Sequence, residues 1–332
     1  MHSNHRLRSI VLFCVLPLGA SAQDKGTVEE QVRALGAKVD AARQTSLEHL
    51  VRLNSVAFAL EYGDTVRHRL VQYPNRQDGL TPGYVFTPAK LEKGRKYPGL
   101  IVLHGSNHGH FGPEFFELIA TAVTKGYIVM FPEYAGSSGY GLAQYEAVDY
   151  SGHDVDDALA AADYLVSRHD FVDPARLGIY GFSHGGLIVL CALEREPKKF
   201  KAAVHMSGLV DLVADLAIRP QPHLKALADM PRFQGTYAYG NGIKAYIEAS
   251  PINYVELIET PLLILATSSD FHVASQLHAK RLAEVMKSYG KTFEYKLFEN
   301  APGAHLFSYG DSEASRQAFA KTFEFLAKYL HP

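Results

Sequence analysis

Cysteine is nearly absent from this chain: two in 332 residues, Cys14 and Cys191. Cys14 lies in a leader-like segment, so loss of that segment leaves a single thiol, which cannot form an internal disulfide even in an oxidising compartment. Cys191 sits among apolar neighbours, a pattern that suits a buried space-filler better than a reactive thiol. An excess of either charge is also missing. The 33 basic and 35 acidic residues give a formal net charge of -2 and are mixed along the chain. That excludes an electrostatic footprint for nucleic acid. Internal repeats and low-complexity tracts are absent, and the longest apolar stretch at the N-terminus is too short for a membrane span. What remains is a 47% hydrophobic sequence, enough for one large domain with a substantial core.

The first 22 residues read as a cleaved export signal. Arg6 and Arg8 precede the short apolar run Ile10 to Leu18, and Ala20-Ser21-Ala22 forms a small-x-small cleavage site before Gln23. Nothing around Cys14 resembles a lipid-attachment box, so a soluble periplasmic or secreted product is expected. Residues 23–64 read as a helical arm. Val28, Val32, Leu35, Val39, Leu47, Leu50 and Leu53 recur near helical spacing across 27–53. Such an arm could cover one side of the remainder or serve as a tether.

From residue 65 onward the pattern changes. Thr65 to Val71 and Gly83 to Phe86 read as a hairpin around the turn 74–79. Strand-like runs then alternate with helices: Pro98 to Leu103, Tyr127 to Phe131, Arg176 to Tyr180, Ala202 to Met206, Pro261 to Ala266 and Phe293 to Phe298. Alternation of this kind implies parallel pairing, with helices on the sheet faces. The expectation over 65–332 is a mostly parallel α/β sheet of about eight strands with an antiparallel N-terminal edge. Residues 209–255, rich in irregular signals, interrupt the alternation as a surface connection or a partial lid.

One short segment carries the chemistry. Gly181-Phe182-Ser183-His184-Gly185 is a G-x-S-x-G elbow with a strand-like run before it and a helix-like run after it. The glycines permit a sharp, strained turn that lifts the Ser183 hydroxyl above the sheet and aims the His184 backbone N–H at the same point. Such an elbow resembles the nucleophile turn of α/β-hydrolases.

A serine hydroxyl needs a base, and the base needs an orienting carboxylate. The fold delivers them in the order Ser, Asp or Glu, His, each at a strand's carboxyl end. Asp270 follows the strand 261–266 and His305 follows the last strand, which makes them the candidate acid and base. Asp211, one strand earlier, is the rival acid; His272 is a rival base. Ser106, in the loop after the strand 98–103, is the expected second oxyanion N–H beside His184. His104, His108 and His110 could suggest a metal, but no acid lies among them and backbone turns explain the cluster as well.

Together these segments resemble the catalytic domain of the prolyl oligopeptidase family, serine peptidases of the α/β-hydrolase fold. The similarity runs from about Gly83 to the C-terminus. Tyr97 to Gly105 resembles the family's strand and oxyanion loop, His108 to Gly112 its continuation, Tyr134 to Gly141 the "YRGSxGYG" segment, and Asp154 to Gly186 the pre-nucleophile helix, strand and elbow. The resemblance implies Ser183 as nucleophile, Asp270 as acid and His305 as base. Ala135 stands where the family has arginine, and Ser106-Asn107 replaces the end of its His-Gly-Gly-Pro loop. Full-length members also carry a β-propeller; about 60 residues lie between the leader-like segment and the similarity, against about 40–45 for one blade, so none is expected. The expected activity is that of an exported serine hydrolase acting on short peptides, without metal or organic cofactor, with small-ester hydrolysis as the alternative. Non-catalytic binding on a hydrolase scaffold is a further alternative.

Overall fold

A computed structural model describes residues 27–332. The leader-like residues 1–22 lie outside the described residues. Residues from Arg43 to Pro332 form one compact body, while those up to Ala42 form a separate unit whose described part is helical.

The chain opens with helix α1 (Val28–Tyr62), followed by β1 (Val66–Pro74), β2 (Leu80–Pro88) and β3 (Tyr97–Leu103). Then come α2 (Phe116–Thr124), β4 (Ile128–Pro132), α3 (Leu142–Glu146), α4 (His153–Arg168), β5 (Val172–Phe182) and α5 (His184–Arg195). After β6 (Ala202–Met206) lie three short helices, α6 (Leu212–Leu216), α7 (Gln221–Ala228) and α8 (Ile243–Glu248). The chain finishes with β7 (Leu262–Thr267), α9 (Ala279–Ser288), β8 (Phe293–Phe298) and α10 (Glu313–Leu330).

The eight strands form one sheet in the order β1-β2-β4-β3-β5-β6-β7-β8. The β1–β2 and β2–β4 pairs are antiparallel and all others parallel. This is the expected α/β-hydrolase sheet with its antiparallel edge. The central strands are mostly apolar because helices cover both faces: every residue of β3, β4, β6 and β7 is buried, with His205 and Thr267 polar among them. One face packs Leu159, Ala162 and Leu165 of α4 with Leu187, Leu190 and Leu193 of α5. The other packs Ile119 and Val123 of α2 with Phe323 and Leu326 of α10. Strand β8 lies at the sheet edge and is mostly half-buried.

The helix α1 extends further than the periodicity over 27–53 suggests, and a different face is buried. Val28, Val32, Leu35, Val39, Leu50 and Leu53, which carry the apolar period, are exposed. The buried residues are Gln44, Val51, Asn54 and Phe58. Phe58 is held edge-on by Phe86, Phe111 and Phe116, with centroids 5.1, 5.6 and 5.2 Å away. Asn54 Nδ2 donates to Phe111 O at 3.0 Å. The last turns of α1 are therefore set by long-range contacts that the leucine spacing does not report.

Candidate active site

Parallel strands aim their carboxyl ends, and the loops that follow, at one rim of the sheet. The end of β5 carries Ser183, whose backbone takes φ 57° and ψ -115° before α5 begins at His184. The turn is tight enough to require its glycines. A Cβ on Gly181 would strike the Gly185 carbonyl, and one on Gly185 would come within 2.6 Å of the Leu103 and His104 carbonyl oxygens. The Ser183 N–H is tied to Met206 O of β6 at 2.9 Å, anchoring the turn to the neighbouring strand.

The loops after β7 and β8 bring two more side chains to the serine. His305 sits in a single turn of 3-10 helix, Ala304–Leu306, entered through Gly303 at φ 88°. Its Nε2 lies 2.9 Å from Ser183 Oγ and its Nδ1 lies 2.7 Å from Asp270 Oδ2. With Asp270 ionised and acceptor-only, Nδ1–H donates to the carboxylate, and Nε2 is left to accept the serine proton. Asp270 Oδ1 accepts the backbone N–H groups of His272 at 2.9 Å and Val273 at 2.8 Å. Ser183 and Asp270 are buried, while the His305 side chain keeps 15% of its surface exposed. The chain thus holds a hydroxyl, an imidazole and a carboxylate in series, a geometry able to activate the hydroxyl for attack on a carbonyl.

The rival acid is engaged elsewhere, and the rival base stands at the edge of the site. Asp211 caps α6 by accepting the Ala214 N–H at 2.9 Å, and its other oxygen pairs with Arg281. The His272 ring stands beside His305, with centroids 4.8 Å apart. Burial and the neighbouring His305 lower the His272 pKa.

Ser106 has a left-handed backbone, φ 64°. A Cβ on the preceding Gly105 would lie 3.1 Å from Ser183 Cβ, so this loop passes directly over the serine. Ser106 and His184 both line the cavity above it, which has a volume of about 700 Å³. Leu209, Leu212 and Leu227, from the region 209–255, form part of its wall with Val273.

Each histidine of the 104–110 segment has a structural setting. His104 is fully buried and its pKa is driven down to about 3 by burial. Its Nε2 meets Ser137 Oγ at 2.8 Å and its ring stacks on Tyr134 at 4.1 Å. His108 Nδ1–H donates to Gly136 O at 2.8 Å while its ring stacks on Tyr145 at 3.7 Å. His110 is half-buried, and burial lowers its pKa. Among the described residues no group of three His, Cys, Asp or Glu side chains is placed to hold a metal ion. Cys191 is buried, which raises its thiol well above the usual range.

The segment 134–141 buttresses the loop. Ser138 Oγ donates to His108 O at 2.6 Å, and the Ser138 N–H to Gly109 O at 3.1 Å. Where the family has arginine, the Ala135 N–H donates to Asp157 Oδ2 at 2.8 Å, and burial lifts Asp157 to about 7. Glu133 is wholly buried, accepts from the Phe111 N–H and the Tyr140 hydroxyl at 2.8 Å each, and is raised by burial to about 8. His184 Nε2 also lies 2.8 Å from Asp154 Oδ2, and neither this contact nor Glu133 stood out in the sequence, because the partners are distant and follow no period.

Comparison with known proteins agrees with the architecture. A sequence profile of the prolyl oligopeptidase family matches residues 113–332. The chain is 29% identical over 237 residues to Uncharacterized peptidase YuxL of Bacillus subtilis, covering 70% of this chain and 34% of that protein. A puromycin-hydrolyzing peptidase of Mycobacterium tuberculosis superposes with a TM-score of 0.69 at 26% identity, over 80% of this chain and 39% of that one. The acylaminoacyl peptidase of Pyrococcus horikoshii gives a TM-score of 0.71 at 22% identity, over 82% and 43%. The chain thus spans about a third of the curated relative and about two-fifths of the solved ones. With the family profile covering most of the chain, and the elbow, sheet order and loops in place, this chain belongs to the prolyl oligopeptidase family.

Proposed function

We propose that this protein is a serine-type peptidase that cleaves amide bonds of short peptides through an acyl-enzyme. Ser183 is the nucleophile. His305 Nε2 takes its proton as the hydroxyl attacks, and Asp270 steadies the resulting imidazolium. The backbone N–H groups of His184 and Ser106 hold the oxyanion, where losing one donor typically costs about 10²–10³ in turnover. His305 then protonates the leaving amine, and a water activated by the same imidazole releases the acyl group. The cavity wall of Leu209, Leu212, Leu227 and Val273 receives an apolar group of the substrate.

The observation that carries this reading is the series of contacts at 2.9 and 2.7 Å from Ser183 through His305 to Asp270. The family and the names of the three relatives given above, each a peptidase, support an amide over an ester as the physiological bond. The leader pattern of residues 1–22 supports export as part of the proposal.

A fluorophosphonate probe tests the nucleophile: wild type is labelled and Ser183→Ala is not. An unlabelled wild type would move the protein to the non-catalytic binders. Turnover of aminoacyl and prolyl p-nitroanilides tests the bond. Hydrolysis confined to p-nitrophenyl acetate or butyrate would reassign the protein as a carboxylesterase.

A further inference from the structure

Two residues outside the proposed triad form a second Asp–His contact beside it. His184 follows the nucleophile directly, is 2% exposed, and its Nε2 lies 2.8 Å from Oδ2 of the wholly buried Asp154. Asp154 stands in the first turn of α4. Its Oδ1 accepts the N–H groups of Gly152 and Val155 at 2.8 Å each, and its Oδ2 also faces the Ser151 N–H at 3.3 Å. A carboxylate so surrounded by donors is an acceptor towards His184, which places the proton on Nε2. The other ring nitrogen, Nδ1, is buried without a hydrogen-bond partner. The ring is thus fixed by one polar contact and by the edge-on Tyr150 ring at 4.3 Å.

This contact matters because of what the elbow lacks. Gly181, Gly185 and Gly186 carry no side chain, and the Phe182 ring is engaged with His305 and Tyr309, 4.9 and 4.8 Å away. On the helix side of Ser183, His184 is the first residue with a side chain able to anchor the turn. Its ring and its amide N–H share one Cα. Pinning the ring to α4 therefore limits rotation of the peptide plane between Ser183 and His184, the plane that carries an oxyanion donor.

We propose that Asp154, acting through His184, is a positioning residue that holds the His184 N–H on the oxyanion. This rests on the reading of Ser183 and the His184 amide given above. A donor displaced by a fraction of an ångström binds the substrate carbonyl almost as before and the tetrahedral state less well. The loss falls on kcat and spares KM. A role confined to stability would instead lower the melting temperature and leave turnover per folded molecule unchanged.

The experiment compares Asp154→Ala, His184→Ala and His184→Gln using a p-nitrophenyl ester. Active serine is counted by complete phosphonate labelling, and melting temperatures are measured alongside. Asp154→Ala and His184→Ala are expected to lose about 10–100-fold in kcat per labelled serine, less than removal of a whole donor, with KM within about twofold. Glutamine places an N–H donor where Nε2 stood, so His184→Gln is expected to recover most of that loss. Turnover per labelled serine within about twofold of wild type in His184→Ala would overturn the proposal, as would a His184→Gln no better than His184→Ala. If Asp154→Ala does not fold, the two His184 variants decide. Failure of the underlying site reading has a separate signature, since Ser183→Ala would then still take up the label.

Discussion

Asp270 divides its carboxylate between His305 and its own loop. One oxygen receives His305 Nδ1–H at 2.7 Å, and the other receives the N–H groups of His272 and Val273. The carboxylate is thereby held by its own loop, so that in the proposed triad it sets both the tautomer and the plane of the imidazole. Asp211 has the opposite assignment: it caps α6 and meets Arg281.

Replacing these two acids with asparagine separates the roles. Asp270→Asn keeps the shape but allows the wrong imidazole tautomer, and kcat for ester or anilide is expected to fall by about 10²–10⁴. Asp211→Asn leaves an adequate helix cap and removes only a partly exposed ion pair, worth about 0–1 kcal/mol. Its turnover is expected to stay within about twofold of wild type. Steady-state kinetics on both variants checks this, and the reverse pattern would place the acid one strand back.

Ser106 holds a backbone, φ 64°, that side chains disfavour, with a cost of roughly 1–2 kcal/mol for an L-residue. Ser106→Gly is expected to raise stability by up to about 1 kcal/mol, the relief of strain being partly offset by the freer unfolded chain. Ser106→Val places a β-branched residue in the same conformation. The loop over Ser183 then shifts, and kcat is expected to fall at least about tenfold. Urea unfolding and kinetics check the pair; a Val variant with wild-type turnover would remove Ser106 from the oxyanion site.

Much of the architecture was legible because burial on both faces leaves a plain mark. Strands β3, β6 and β7 read as largely apolar runs, β6 being interrupted by His205, and helices between them dictate parallel pairing. The convergence of Ser183, Asp270 and His305 was legible as an expectation because each follows a strand whose carboxyl end faces the same rim. The face of α1 was not readable. Its apolar period is on the exposed side, while its anchor is Phe58, a single aromatic chosen by Phe86 and Phe111 far along the chain. The Asp154–His184 contact was invisible for a related reason. It joins the start of one helix to the start of the next, 30 residues apart, and no spacing rule marks it.

The same helix yields a contrast in stability. Phe58 is fully buried among Phe86, Phe111 and Phe116, whereas Leu60, two residues on, is 84% exposed. Phe58→Ala is expected to cost about 3–5 kcal/mol through lost burial and the cavity left behind. Leu60→Ala is expected to stay within about 0.5 kcal/mol. Equal destabilisation in denaturant would mean that α1 packs by its other face.

Glu133 supplies a pH dependence with a definite sign. Burial raises its carboxyl from 4.5 to about 8, next to Tyr140 and with its free oxygen 3.7 Å from His104 Nε2. The folded protein therefore binds this proton more tightly than the unfolded chain does. Its contribution to stability is complete below about pH 4.5 and is lost as the pH climbs through about 8. Asp157, raised to about 7, adds a slope of the same sign over a lower window. Glu133→Gln keeps the acceptor for the Phe111 N–H and cannot ionise. Relative to wild type it is expected to gain stability between pH 5 and 9, by about 1.4 kcal/mol for each unit by which the wild-type carboxyl is displaced. Urea midpoints measured across that range check it. Wild-type and variant curves that run parallel would mean that Glu133 is ionised in the folded protein at neutral pH, its charge held by donors that include the Phe111 N–H and the Tyr140 hydroxyl.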